Sequence, residues 1–180
     1  MTRSDDMAAH LINTLLDQNP QIEPAMVEDI ILGAASQAGE QSFNLARMAA
    51  VLSRLPIETT GTTVSRFCAS GLQTIAMAAN QIGSGYCDVL MAGGAKSISM
   101  RQRQEVGVFE RNPTLLESKP QIYMEMGQTA EVVADRYGVT REMQDVYGLQ
   151  SQQRYAAAVE SGAIADEIAP MTVKMKKVNR

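Results

Sequence analysis

Val64-Ser65-Arg66-Phe67-Cys68-Ala69-Ser70-Gly71-Leu72-Gln73 places a cysteine where a short strand gives way to a helix. Upstream, Thr62, Thr63 and Val64 are β-branched and follow Gly61, a composition that suits a strand. Downstream, Leu72, Ile75, Ala76, Ala79 and Ile82 recur at helical spacing and mark one apolar face. Cys68 therefore falls at or just before a helix N-terminus, where unpaired backbone N–H groups and the positive end of the helix dipole favour an anion such as a thiolate. Gly71 lets backbone or ligand approach closely, and Ala69 and Ser70 keep the mouth of such a site small. The residues alone leave two readings open: a nucleophile held at a helix start, or a small side chain that fills a core.

The flanking chain alternates helices with short apolar strands. Ser4, Asp5 and Asp6 read as cap and first-turn acids of a helix whose one face carries Ala8, Leu11, Ile12, Leu15 and Leu16, and which ends at Asn19-Pro20. Pro24 to Glu28 suits a short helical turn. Ile30-Ile31-Leu32-Gly33-Ala34 is a continuous apolar run, as in a strand covered on both faces. Asn44 to Leu55 is helical, with Leu45, Met48, Ala49 and Leu52 on one face and a stop at Pro56, and Val89 to Ala92 forms another buried strand. This order predicts a layered α/β fold with a mostly parallel sheet.

From about Met100 the pattern changes. Arg101 to Gln121 holds Pro113, Pro120 and several basic residues with no steady period, and reads as a long surface excursion, either a functional loop or a contact with another subunit. Tyr123 to Tyr137 is predicted helical and closed by Gly138. Thr140 caps a further helix over Arg141 to Glu160, ended by Gly162. Thr172 to Met175 alternates like an edge strand, and Lys174, Lys176, Lys177 and Arg180 form a solvated basic tail. The reading divides the chain into a core over residues 1–100 and a partly helical region over residues 101–180.

The totals bound the function classes. The chain has 180 residues, a net charge of −4 and 45% hydrophobic residues, so nothing in it calls for nucleic acid or an anionic membrane. No apolar run reaches the roughly eighteen residues of a spanning helix. Cys68 and Cys87 do not make a disulfide scaffold, and the polar stretch Met1 to Asp6 lacks a signal-peptide core, so a reducing, cytoplasmic setting is the expectation.

Ser65-Arg66-Phe67-Cys68-Ala69-Ser70-Gly71-Leu72 resembles the nucleophile segment of the thiolases. Four further stretches resemble that family's segments in the family's order. They are Gly39-Glu40-Gln41-Ser42-Phe43-Asn44-Leu45-Ala46-Arg47, Val89 to Gly94 with Ser97 to Met100, Met126-Gly127-Gln128-Thr129-Ala130-Glu131, and Asp166-Glu167-Ile168-Ala169-Pro170. The resemblance implies a thiolase-like layered α/β/α fold, represented here by the nucleophile half and its loop region, with the second half and the opening strand absent. It implies acyl transfer between coenzyme A thioesters with no bound cofactor, acyl-CoA and CoA being the substrates.

By the same resemblance Cys68 carries the acyl group, the backbone N–H of Cys68 belongs to an oxyanion hole, and Met126, Gly127 and Tyr123 lie beside the pantetheine arm. For Met126 the residues leave open a simple place on the core face of its helix. A dimer or tetramer, or a second chain that provides the other half, is the expected partner.

Four departures stand beside the matches. The family's Gly-His-Pro base, its Cys-x-Gly-x-Gly acid and its Asn-Glu-Ala-Phe segment do not occur in this sequence. Its lone histidine, His10, lies in the first helix, and Cys87 reads as a residue that fills space. After Gly93-Gly94 the family has an acidic residue where this chain has Lys96, a reversal that requires a partner at a packed position. A non-catalytic scaffold that keeps the fold is the alternative, predicted to take no acyl group on Cys68. A ketosynthase acting on protein-carried acyl groups shares the fold in outline, but the Met126 to Glu131 segment favours the CoA-dependent enzyme.

Overall fold

The structure, a computed structural model, describes residues 2–98 and 110–173. The chain forms two compact units, one of Met1–Val106 with Ala169–Arg180, the other of Gly107–Ile168. The first unit contains α1 (Ser4–Gln18), β1 (Asp29–Gly33), α2 (Leu45–Leu52), β2 (Thr60–Val64), α3 (Ser70–Gly83) and β3 (Leu90–Gly94). The strands pair in the order β2-β1-β3 and every pairing is parallel, with Ile31 level with Thr62 on one side and Ala92 on the other.

Position in the sheet explains the composition of β1. Ile30 and Leu32 point to one face and join Ala8, Ile12 and Leu16 of α1 and Leu45, Ala46, Ala49 and Ala50 of α2 in a single core. Ile31 points to the other face, where α3 packs on β1 and β3, and is fully buried there. A central strand covered on both sides has no polar position to spare, hence the unbroken apolar run. The result is three layers: α1 and α2, the sheet, and α3.

Helix α2 sits against β2 through polar contacts as well. Asn44 caps it by accepting from Arg47 N–H at 3.2 Å, accepts from Thr63 Oγ1 at 2.8 Å and donates to the Gly61 carbonyl at 2.6 Å. Arg47 donates to the carbonyls of Thr59 and, at 2.8 Å, Ile57. The helix ends at Leu52 rather than Leu55, because Ser53 leaves helical geometry.

Two other boundaries differ from the sequence reading. Ser4 is the first helical residue of α1 and not its cap, which is Arg3 without a side-chain bond. Arg3 instead grips Asp5 with two donors, Nε at 2.9 Å and Nη2 at 2.7 Å. The strand expected over Val89 to Ala92 runs as β3 from Leu90 to Gly94, so that Cys87 precedes it by three residues.

The second unit contains α4 (Pro113–Ser118), α5 (Met126–Tyr137) and α6 (Arg141–Glu160). Helix α4 corrects the reading of Arg101 to Gln121 as irregular. Asn112 accepts from Leu115 N–H and Pro113 occupies the first helical position, a start signal that the search for periodicity passed over. Tyr123 lies in a 3₁₀ turn, Pro120–Tyr123, before α5. Gly138 ends α5 in the left-handed conformation and Thr140 caps α6 by accepting from Met143 N–H. None of the residues of these three helices is buried.

Residues 172 and 173 are not in a strand. The remainder of the expected edge strand, the basic residues Lys174, Lys176, Lys177 and Arg180, and residues 99–109 lie outside the described residues. Among the described residues no helix is long and apolar enough to cross a membrane.

Candidate active site

The chain leaves the sheet at Val64, whose carbonyl accepts from Ala34 N–H at 2.9 Å, and turns sharply into α3. Phe67 takes a positive φ of 47°, and Phe67–Ala69 form a 3₁₀ turn that runs directly into the helix. Cys68 is the middle residue of that turn and is exposed. Its thiol thus stands at the solvent-facing entrance of α3, and its own N–H has no hydrogen-bond partner among the described residues. An unpaired amide on the residue that carries an exposed thiol is able to donate to an oxygen bound beside it.

The turn is held from below. Ser70, 4% exposed, accepts from Arg66 N–H at 2.8 Å and donates to the Phe67 carbonyl at 2.6 Å. The end of β1 lies against it, so that a Cβ on Gly33 would come within 2.7 Å of Ser70 Cβ and 2.8 Å of its carbonyl carbon. Only a residue without a side chain fits there. One turn further, the Thr74 hydroxyl lies 2.7 Å from the Gly71 carbonyl and 2.9 Å from that of Gly93, which fastens α3 to β3.

The segment after β3 is fastened as well. Gln41, fully buried, accepts from Ser97 N–H at 2.9 Å, and its amide nitrogen lies 3.5 Å from the Ser97 carbonyl. Lys96, the residue of reversed charge, is half-buried and engaged.

The other candidates take separate places. Cys87 is buried with its sulfur 3.7 Å from Gln81 Oε1. Burial pushes its thiol up, and the carboxylates of Glu28, Asp29 and Asp88 add to that. His10 Nε2 lies 2.9 Å from the Pro170 carbonyl, so that nitrogen carries the proton and the ring fastens the returning chain to α1.

Tyr123, Met126 and Gly127 belong to the second unit and Cys68 to the first. Met126 is 73% exposed and, with Ala130, Val133, Ala134 and Val139, lines an open apolar cleft of about 360 Å³. Gly127 faces open space. The Tyr123 hydroxyl accepts from Asn112 N–H at 3.0 Å, and the Arg111 guanidinium lies 5.7 Å from the centre of its ring.

In the sequence Ser70 reads only as a small residue at the mouth of the site, and Gly33 and Gln41 do not stand out as site residues. A serine beside the helix start was a weak signal for Ser70. For Gly33 and Gln41, whose roles depend on residues 37 and 56 positions away, there was none.

Among the described residues no three His, Cys, Asp or Glu side chains are grouped to hold a metal. The family model for the thiolase N-terminal domain matches residues 1–180. The chain is 39% identical over 190 aligned residues to the 3-oxoadipyl-CoA/3-oxo-5,6-dehydrosuberyl-CoA thiolase of Escherichia coli K12, covering 97% of this chain and 47% of that protein. It is 40% identical to the β-ketoadipyl-CoA thiolase of Acinetobacter baylyi, with the same two coverages. To the 3-ketoacyl-CoA thiolase of Bacillus subtilis it is 41% identical over 177 residues, covering 98% of this chain and 44% of that one. The chain thus spans about half the length of the curated relatives it matches. With its whole length matched and a cysteine set at the turn into α3, the chain belongs to the thiolase family, as its N-terminal domain.

Proposed function

We propose that this chain provides the nucleophile half of a thiolase-type acyltransferase in which Cys68 carries the acyl group. The observation that carries this reading is the exposed Cys68 at the start of α3 with its own amide unpaired among the described residues. The Cys68 thiolate attacks the 3-keto carbon of a 3-oxoacyl-CoA, and a sulfur–carbon bond forms while the carbonyl oxygen takes up negative charge beside the Cys68 N–H. As the carbonyl reforms, the bond between C2 and C3 breaks, and its electron pair remains on C2 of the departing acetyl-CoA, which takes a proton there. The sulfur of a second coenzyme A then attacks the thioester. The shortened acyl-CoA leaves and the Cys68 sulfur is released.

Splitting the exchange into two attacks on activated carbonyls lowers each barrier, and a thioester remains reactive toward the incoming thiol. The base that takes the thiol proton and the acid that protonates C2 come from outside the motifs matched here, either from further sequence or from a partner chain. The relatives named above support 3-oxoacyl-CoA thioesters as the substrate class. Met126, Gly127 and Tyr123 enter the proposal as contacts for the coenzyme arm through the resemblance of the Met126 to Glu131 segment alone. No bound cofactor is required, since the acyl carrier is the substrate itself. A cytoplasmic setting and a homo-oligomer, or a complex with a second chain, complete the reading.

Intact-mass measurement of the protein isolated from its source with whatever co-purifies, before and after acetyl-CoA, tests it. The expected result is an acetyl increment that is absent from Cys68→Ala. An isolated chain that takes no acetyl group, even with its co-purifying partners, makes the non-catalytic scaffold the correct reading.

A further inference from the structure

We infer that Ser70 is the positioning residue of the nucleophile: its buried hydroxyl closes the turn that carries Cys68 and sets where the thiol stands at the entrance of α3. The inference rests on the acyl-transfer reading of Cys68. A bulky residue with positive φ is held there only by its surroundings, and Phe67, 76% exposed, has little around its own side chain to hold it. What holds it is the backbone on either side. The Ser70 oxygen accepts from Arg66 N–H just before Phe67, and its proton goes to the Phe67 carbonyl just after the strained φ. One hydroxyl thus ties the Ser65–Arg66 peptide to the Phe67–Cys68 peptide, and the backbone dihedrals of Arg66 and Phe67 lie between those two anchors.

Cys68 is the next residue, so any relaxation of Phe67 swings its amide and its sulfur together. Gly33 closes the arrangement from beneath, since the contact of β1 with Ser70 leaves the serine no room to withdraw.

Thr74 provides the control. It too places a buried hydroxyl on the inner face of α3, one turn along, but its partners are the Gly71 and Gly93 carbonyls and it does not touch the Phe67 turn. A purely structural role for Ser70 predicts that the two losses behave alike. A positioning role predicts that they separate.

The test compares wild type, Ser70→Ala, Ser70→Thr and Thr74→Val, each with the partners that co-purify, with folding checked by circular dichroism and thermal unfolding. Cys68 acetylation by acetyl-CoA is followed by peptide mass, and Cys68 alkylation by iodoacetamide is followed in parallel. In Ser70→Ala the acetylation rate at saturation is expected to fall by about ten- to a hundred-fold with the half-saturating acetyl-CoA concentration little changed, as a misplaced nucleophile requires. Alkylation at Cys68 also slows, by about three-fold or more. Ser70→Thr, which keeps the hydroxyl, recovers most of both rates, and Thr74→Val stays near wild type in both.

Wild-type rates in Ser70→Ala, or an equal fall in Thr74→Val, overturn the inference. If wild type takes no acetyl group, the acyl-transfer reading fails, and the alkylation comparison alone decides whether Ser70 holds the turn.

Discussion

At Asp5 a single carboxylate joins the start of α1 to the pH dependence of the fold. Arg3 grips it with two donor nitrogens and the N–H of Asp6 donates to it at 3.1 Å. The Arg3 hydrogen bond, opposed in part by burial, holds this carboxyl below its ordinary value of 3.8. A carboxyl depressed in the folded state stabilises the fold above its unfolded value and loses that contribution as pH falls through the folded value. Thermal midpoints measured downward from about pH 5 should therefore fall less steeply in Asp5→Asn than in wild type. An unchanged slope would show that the pair does not contribute.

The two cysteines form a second contrast at this scale. Cys68 is exposed, whereas Cys87 is buried with its thiol pushed up, first by burial. Iodoacetamide on the native protein should label Cys68 and leave Cys87 intact until the chain is unfolded, as peptide mass mapping will read. Early labelling of Cys87 would contradict its place in the core.

At the scale of the element, α3 turns its small, polar side inward. Its buried residues are Ser70, Thr74 and Ala78, spaced one turn apart, while Leu72 is 73% exposed and Ile75 and Ile82 are exposed too. Close approach is what the inner face is built for, since the Ser70 backbone stands against Gly33. Gly33→Ala places a methyl group into that contact, and overpacking of this kind costs about 1–3 kcal/mol. Denaturant unfolding should show a loss of that size, together with slower Cys68 acetylation, because the methyl group presses on the residue beneath this proposed nucleophile. A loss of stability with unchanged acetylation would separate the fold from the site.

At the scale of the molecule, the first unit has a core, whereas among the described residues of the second none is buried. Residues of α1, β1 and α2 enclose Ile30 and Leu32, but α4, α5 and α6 bury nothing, and Met143, Val146, Tyr147 and Leu149 of α6 all face outward. Exposed apolar surface of this extent, with the outer face of α3, favours association. The 180-residue chain on its own should sediment as an oligomer or precipitate, and Leu72→Lys with Ile75→Lys should shift it toward monomer. A monodisperse wild-type monomer would refute this expectation.

What the sequence determined by itself was local and ordered. The turn from Val64 into α3, the apolar run of β1, the Thr140 cap of α6 and the five thiolase-like segments each lie within a few residues, where periodicity, capping and motif are complete. That was enough for the layered α/β class, the parallel sheet and the family. Tertiary structure decided which face of α3 is covered, that Asn44 bonds across to β2, that Gln41 holds Ser97 and that Ser70 rests on Gly33 beneath the candidate nucleophile. Each of those contacts joins residues 17 to 56 positions apart. A pattern along the chain records what a residue prefers, but not which distant backbone will stand against it.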